Sequence, residues 1–324
     1  MAPETPTVRV RAVMADARHG PLDLVLLGGA DGLDREVTIP YIQKTGLALA
    51  GFEEHLQPGR LLIFGESEIR FLEQLSSAER IARLRAAFGR DLPCVLIAGI
   101  ADVPAELIRE ADAAALPVLL TLCSVPESIG ILTAQLEDSL AVREVVHGAL
   151  LDVLGLGVLI VGDSGIGKSE CALELVTRGH RLVADDGVEV RRCGSRVLIG
   201  ACPDLTRHQM EIRGLGIIDV KAMYGVAATR PSKRVELVVR FERWDPGRRY
   251  DRLGLDEAHH DLLDIAVPFV CLPVAPGRNL AILVEVAVRV QLLRADGYRA
   301  PDRLVAELER RLERAAAEMA QGDD

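Results

Sequence analysis

The sequence predicts an α/β fold of two domains, an N-terminal α/β domain followed by a C-terminal domain built around a phosphate-binding loop. Three observations carry that expectation. The chain is 324 residues long, enough for two hydrophobic cores of ordinary size. Along residues 1–138 short apolar runs alternate with helical stretches, the pattern of βαβ units. Residues 162–169 read Gly-Asp-Ser-Gly-Ile-Gly-Lys-Ser, a complete G-x-x-x-x-G-K-[ST] loop set between an apolar strand and a helix.

In the first domain, Cys94 to Ala98, a helix from about Pro104 to Ala115, and Val118 to Thr121 form one βαβ unit. Pro104 falls in the first helical turn, where its missing N–H is tolerated, and Leu107, Ile108 and Ala111 share a face. A second helix, near Ser77 to Phe88, carries Arg80, Arg83 and Arg85, with Arg90 just beyond, and these charges are expected to form a solvated face. Nothing in residues 1–138 has the residue types of a catalytic constellation, so this half reads as regulatory, structural or for assembly. Val125 to Leu140 is expected to be a linker helix, with the second domain at 139–324.

In that domain Leu156, Val158, Leu159, Ile160 and Val161 deliver the backbone to the loop, and Ser169 to Val176 reads as the helix leaving it. A short strand, Arg181 to Ala184, then runs into Asp185 and Asp186. Val235 to Phe241 is a further strand, whereas Leu280 to Val290 is too long for one and is expected to pass from strand into helix. Pro301 to Met319 puts Leu304, Val305, Leu308, Leu312, Ala315 and Met319 on one stripe, expected to pack in a core.

The loop defines the chemistry. Gly162, Gly165 and Gly167, with Asp163, Ser164 and Ile166 between them, let successive backbone N–H groups curl around a phosphate chain, and the following helix N-terminus adds partial positive charge. Lys168 is placed for β/γ-phosphate oxygens and Ser169 for Mg²⁺, so the loop predicts a nucleoside triphosphate.

Phosphoryl transfer also needs a base and further charge. Asp185 and Asp186 stand where phosphate-loop proteins place a metal-linked or basic carboxylate, although a plain turn before Gly187 explains them equally well. Adjacent strand-end side chains are expected to point apart. Glu211 is a hard oxygen donor suited to Mg²⁺, unless a solvent-facing salt bridge with Arg213 occupies it. Arg252 is either a cation for a transferring phosphoryl group or half of a surface pair with Asp251. Pro276-Gly277-Arg278-Asn279 is a turn whose Arg278 is a phosphate candidate, and His147, next to Gly148, is left open between structural and catalytic roles.

Composition narrows the partners. A net charge of −10, from 48 acidic against 38 basic residues, disfavours nucleic acid and anionic membrane surfaces and fits a protein or small-molecule partner. Met1 to Arg11 is polar, proline-containing and charged, so a secretory leader is not expected there, and no apolar run reaches the roughly 18 residues of a membrane span. Cys94, Cys123, Cys171, Cys193, Cys202 and Cys271 lack disulfide or zinc spacing, which points to a reducing cytoplasm.

In order and spacing, His147 to Val153, Gly162 to Glu170, Arg178 to Asp186, Glu211 to Val220, Tyr250 to Leu255 and Pro276 to Leu280 resemble the signatures of the bacterial HPr kinase/phosphorylase family. The first half is similar to that family's N-terminal domain around Pro93 to Leu120. The resemblance implies a catalytic domain similar to the nucleotide-binding core of phosphoenolpyruvate carboxykinase. It implies ATP, or pyrophosphate as an alternative donor, in the loop, and a serine of the phosphocarrier protein HPr as acceptor. It also implies the reverse reaction, in which inorganic phosphate attacks phosphoserine and pyrophosphate leaves. Carried over by residue, Asp186 would be base in one direction and acid in the other, His147 would set its charge state, and Lys168 and Arg252 would stabilise the phosphoryl group. Ser169 and Glu211 would hold Mg²⁺; Pro273, Val274, Ala275, Pro276, Gly277 and Arg278 would serve dephosphorylation; and the assembly would be a homohexamer.

One position departs from the family pattern, which has a basic residue where this chain has Ala275. That favours the kinase direction and keeps open a variant that acts as a kinase only. A small-molecule kinase and a nucleotide-gated binding protein would also use such a loop, but the second fits less well because the chain lacks an N-K-x-D guanine-reading tetrad.

Overall fold

The computed structural model describes residues 6–16, 22–44, 46–247 and 257–321. The chain divides into two compact units, Met1–Ala141 and Val142–Asp324.

The first unit is built on a four-stranded sheet in the order Val25–Gly28, Val118–Thr121, Val95–Ala98, Leu62–Phe64. The last three strands are mutually parallel and the first is antiparallel to its neighbour. Val95 to Ala98 are all buried, as an apolar run without alternation requires when both faces of a sheet are covered. Val95 and Ile97 pack with Leu72, Leu84 and Leu107 on one face, and Leu96 and Ala98 with Val13, Leu132 and Leu136 on the other. The helix Val125–Ser139 supplies Leu132 and Leu136, so it belongs to this core and is not the linker that its position suggested.

Helix Ser77–Phe88 begins at a capping box in which the Ser76 hydroxyl accepts from the Glu79 N–H and Glu79 bonds back to Ser76. Its arginines are not simply solvated. Arg80 is drawn in, with Nη1 3.0 Å from Glu106 Oε2 and Nε donating to the Leu72 carbonyl at 2.7 Å.

The second unit carries a nine-stranded sheet. From edge to edge it runs Ser232–Arg234, Val197–Ala201, Gly187–Cys193, Arg143–Val153, Leu156–Gly162, Leu237–Arg243, Ile265–Val274, Ala258–Leu262, with Arg181–Ala184 pairing with Arg143–Val153 off that path. Leu156–Gly162, Leu237–Arg243 and Ile265–Val274 are parallel, and the phosphate loop leaves the first of them. Helices Lys168–Thr177 and Leu280–Ala295 cover one face, where Ala172, Leu175, Val284 and Val288 meet Leu151, Val158, Ile160 and Val239.

The two helices are pinned to each other. Arg178 and His180, just beyond the first helix, both engage Glu285 on the second, at 2.7 Å and 2.9 Å. The Arg178 hydrogen bond, seconded by His180, holds the Glu285 carboxyl down to about 2. This fastens the helix whose N-terminus bears Lys168.

Residues Leu280–Ala295 are helical throughout, with Asn279 capping the Ile282 N–H, so the expected strand-to-helix passage is replaced by one helix. The tail forms the helix Ala300–Gln321, but Val305, Leu308 and Leu312 are exposed on it, so the stripe is not core packing within this unit. The side chains of Leu304, Ala315 and Met319 lie outside the described set.

Candidate active site

The loop between the strand Leu156–Gly162 and the helix Lys168–Thr177 borders a cavity of about 110 Å³. Ser164, Gly165, Gly167, Lys168 and Ser169 line it from the loop side, while Gly162, Asp163 and Ile166 form its frame, Ile166 being buried in the core. Lys168 is only 7% exposed, and its ammonium arches over the loop, donating to the carbonyls of Gly162 at 2.8 Å and Asp163 at 3.0 Å.

Three strands bring residues to this mouth. His147 lies on Arg143–Val153 beside Gly187, where the neighbouring strand starts. Its Nε2 is 3.4 Å from Lys168 Nζ and its Nδ1 is 3.1 Å from Asp186 Oδ1. An ammonium can only donate, so Nε2 accepts, the ring proton sits on Nδ1, and that proton is donated to Asp186. Lysine, histidine and aspartate thus form one chain of polar contacts across the cavity.

Both aspartates line the cavity. They were expected to point apart, but Asp186 adopts a left-handed φ of 66°, which cancels the strand alternation. The Gly187 N–H also bonds the Asp185 carbonyl at 2.8 Å, so the pair makes the turn and faces the site at once. Their surroundings differ sharply. The Asp186 side chain is 76% exposed at the mouth. Asp185 is 4% exposed, and its fully buried Oδ2 has no hydrogen-bond partner. Burial pushes the Asp185 carboxyl up to about 6, against the pull of hydrogen bonds from the Ser169 hydroxyl and the Asp186 backbone.

The opposite wall is the hairpin of Gln209–Ile212 and Gly216–Asp219. Met210 and Ile212 anchor it in the core, which turns Glu211 away from the core and into the cavity wall. Arg213 lines the cavity too, and no salt bridge joins it to Glu211 or to any other described residue.

A hard cation fits this donor set. Ser169, Glu211 and Asp185 all border one cavity, and the buried Asp185 Oδ2 has no hydrogen-bond partner. Among the described residues no cluster of three or more His, Cys, Asp or Glu side chains is placed to hold a metal by itself.

Two further sequence candidates remain. Arg252 and its Tyr250 to Leu255 neighbours lie outside the described residues. The segment Pro273 to Arg278 ends the strand Ile265–Val274, where the Pro273 carbonyl accepts from Arg278 Nη1 at 2.9 Å. Gly277 and Arg278 border a separate hollow against the first turns of the loop helix, and Gly167 and Glu170 border both spaces. Asp185 carries no separate role in the sequence, and Arg213 enters there only as the salt-bridge partner expected for Glu211, a pair that does not form here. Arg213 is the first residue of the turn after the strand Gln209–Ile212, so strand alternation does not place it and its position at the cavity comes from the hairpin.

No helix of the described residues is long and apolar enough to cross a membrane. The family model described as HPr Serine kinase N terminus matches residues 8–136, and that described as HPr Serine kinase C-terminal domain matches residues 138–308. The HPr kinase/phosphorylase of Geobacter sulfurreducens is 42% identical over 292 residues, 90% of this chain and 91% of that protein. That of Geobacillus thermodenitrificans is 42% identical over 303 residues, 94% and 96% of the two chains. A solved structure, the Hpr(Ser) kinase/phosphatase from Coxiella burnetii, aligns at 36% identity with a TM-score of 0.44, over 48% of this chain and 94% of that one. Matched in both halves and aligned with full-length relatives almost end to end, this chain belongs to the HPr serine kinase family.

Proposed function

We propose that this enzyme transfers the γ-phosphoryl group of ATP to a serine of the phosphocarrier protein HPr, and runs the reverse phosphorolysis, in control of carbon metabolism. The observation that carries this reading is the Lys168–His147–Asp186 chain across the mouth of the phosphate loop. A carboxylate exposed at the mouth can meet a hydroxyl on a protein surface, and a lysine held beneath it can meet phosphate.

In the forward direction Asp186 takes the serine proton as the serine oxygen bonds to the γ-phosphorus and the bond to the ADP oxygen breaks. In reverse, an oxygen of inorganic phosphate attacks the phosphoserine phosphorus, Asp186 returns a proton to the departing serine oxygen, and pyrophosphate leaves. One carboxylate serves both directions, as microscopic reversibility requires. The His147 Nδ1–H keeps Asp186 oriented, and Arg252 adds charge to the phosphoryl group in flight. Ser169 and Glu211, with Asp185 beside them, would hold Mg²⁺, which when bound neutralises the donor phosphates.

Pyrophosphate fits the same cradle as a second donor. The chemistry belongs to residues 139–324, on a core akin to that of phosphoenolpyruvate carboxykinase, with residues 1–138 serving regulation or assembly. The working form is a homohexamer in the cytoplasm, in keeping with six free cysteines. Ala275 removes a cation from the segment Pro273 to Arg278, so the kinase direction dominates.

The test is incubation with HPr, ATP and Mg²⁺ followed by mass spectrometry. Wild-type protein should add one phosphate to one serine, and Asp186→Asn should slow this by about 10²–10³-fold. Phosphorylation of a metabolite but not of the carrier, or an Asp186→Asn variant at full rate, would remove the assignment.

A further inference from the structure

Another cavity of the second unit lies at the opposite end of the same sheet. Leu156, Leu237 and Ile265 open the three parallel strands, and the phosphate loop leaves the first of them at its far end, about 20 Å away at the usual rise of a strand. At the entering ends, Leu156, Glu236 and Ile265 border a space of about 230 Å³. Gln291, Leu292 and Ala295, from the last turns of the helix Leu280–Ala295, close another side of it. Its walls are apolar, with Leu198, Val235 and Val267 buried in the core behind them.

The rim is charged in a way the walls are not. Arg196 and Arg234 both stand on it, and neither guanidinium makes an ion pair or hydrogen bond with any described residue. Glu236 is the acidic residue on that border, and its carboxylate is already taken. Its Oε2 accepts from the Gly157 N–H at 2.9 Å, with Lys233 Nζ at 3.7 Å. The rim is therefore net positive, on a chain whose net charge is −10. A concave apolar space with a few polar groups at its edge is the pattern of a small-molecule site, and this one falls below the roughly 300 Å³ at which drug-sized ligands begin to fit. A nucleotide or a long acyl chain is too large for it.

We propose that this cavity binds a small organic anion, a carboxylate on a compact apolar body, with the head at Arg196 and Arg234 and the body against Leu198, Val267 and Leu292. A guanidinium fork pairs with a carboxylate through two parallel hydrogen bonds, and the walls favour apolar surface removed from water. A bare inorganic anion would leave those walls wet, and a neutral molecule would leave both guanidiniums without a partner. The site goes beyond the transfer reaction, since none of its residues lines the phosphate-loop cavity.

The experiment titrates the full chain with 4-methylpentanoate by ligand-observed NMR, with 4-methylpentanamide and acetate as controls. Wild type should take up the carboxylate saturably with a Kd of about 1 mM or tighter. The amide lacks the charge and acetate lacks the body, so each should bind at least about tenfold more weakly. The double variant Arg196→Gln/Arg234→Gln should lose at least about tenfold in affinity for the carboxylate, and Ala295→Glu, which sets an acid on the rim, should lose as much. Arg196, Arg234 and Ala295 are exposed, so both variants should melt with wild type and, without the probe, phosphorylate HPr within about twofold of it. Equal binding of carboxylate and amide overturns the proposal, as does an absence of saturation below about 20 mM. Binding within about twofold of wild type by both variants overturns it too. If the double variant fails to fold, Ala295→Glu decides alone. HPr phosphorylation enters only as a check on folding, so failure of the transfer reading would leave this test standing.

Discussion

The hollow beyond the strand Val118–Thr121 in the first unit and the cavity beyond Leu156–Gly162 in the second occupy the same topological place. In both, parallel strands end and the chain turns away toward a helix, leaving a concavity at the carboxyl edge of a sheet. The first hollow has about 540 Å³ and is bordered by Leu22, Val25, Leu120 and Leu122. The second has about 110 Å³ and is bordered by Lys168, both aspartates, Glu211 and Arg213. Topology makes the space, and residue type decides whether chemistry can occur in it. The arginines differ in the same way. In the first unit Arg35 donates to the carbonyls of Leu92, Ala114 and Ala115, and Arg80 to those of Leu72 and Leu75. Those guanidiniums hold the fold together, whereas Arg213 borders the cavity without a hydrogen bond or ion pair to any described residue.

The hardest way to break this contrast is to remove charge from the smaller cavity. Lys168→Met should lower kcat/KM for HPr phosphorylation by about 10³, or about 4 kcal/mol of transition-state stabilisation. Leu122→Ser, in the apolar hollow, should leave kcat/KM within about twofold, measured by the same carrier assay. Comparable losses from both changes would mean that the first hollow takes part in the reaction. Next in size is the reciprocal change to packing. Leu96 is fully buried in the first unit, so Leu96→Ala should cost about 2–5 kcal/mol in chemical denaturation. The rate per folded molecule should not change.

How much of this was legible from residues alone follows the range of the interactions. The phosphate loop, its strand and its helix were legible because glycine conformation, lysine charge and apolar flanks act within a dozen residues. The helix Ser77–Phe88 was legible as well, and the capping box that starts it, between Ser76 and Glu79, spans only three residues. Leu280–Ala295 did not, because it is apolar nearly all round and rich in valine, which blurs the helical period. The distinction between Asp185 and Asp186 was not legible either. It comes from packing and from a left-handed φ at Asp186, and neither leaves a mark on two adjacent identical letters.

Asp185 offers a finer test, because it sets stability against function within one residue. Its carboxyl is raised from the ordinary 3.8 to about 6, chiefly by burial. The native state therefore binds this proton more tightly than the unfolded chain. Its stabilising contribution is complete below about pH 4 and is lost as pH rises through 6. Asp185→Asn should accordingly gain about 3 kcal/mol over wild type near pH 7.5, a gap that closes toward pH 4. The same change should reduce Mg²⁺-dependent transfer, since it removes a carboxylate that borders the cavity and whose buried Oδ2 has no partner. Denaturation curves at the two pH values decide the matter, and a gap that does not vary with pH would mean that burial is not what perturbs the group.

The smallest expected effect concerns Ala275. This residue follows the strand Ile265–Val274, and its carbonyl accepts from the Arg278 N–H at 3.2 Å. The turn is therefore closed by backbone and does not depend on the side chain at 275. Restoring a cation with Ala275→Arg adds charge near the hollow that shares Gly167 with the phosphate cavity. A partly solvated charge of this kind contributes about 1 kcal/mol, so phosphorolysis should rise about fivefold. The kinase rate should stay within about twofold, because Lys168, Asp186 and the hairpin are untouched. Pyrophosphate release from phosphoserine-HPr and inorganic phosphate is the measurement. An equal rise in both directions would show that the added charge acts on donor or carrier binding in general, and the segment's special link to dephosphorylation would be lost. No rise in either direction would place position 275 too far from the reacting phosphates for its charge to matter.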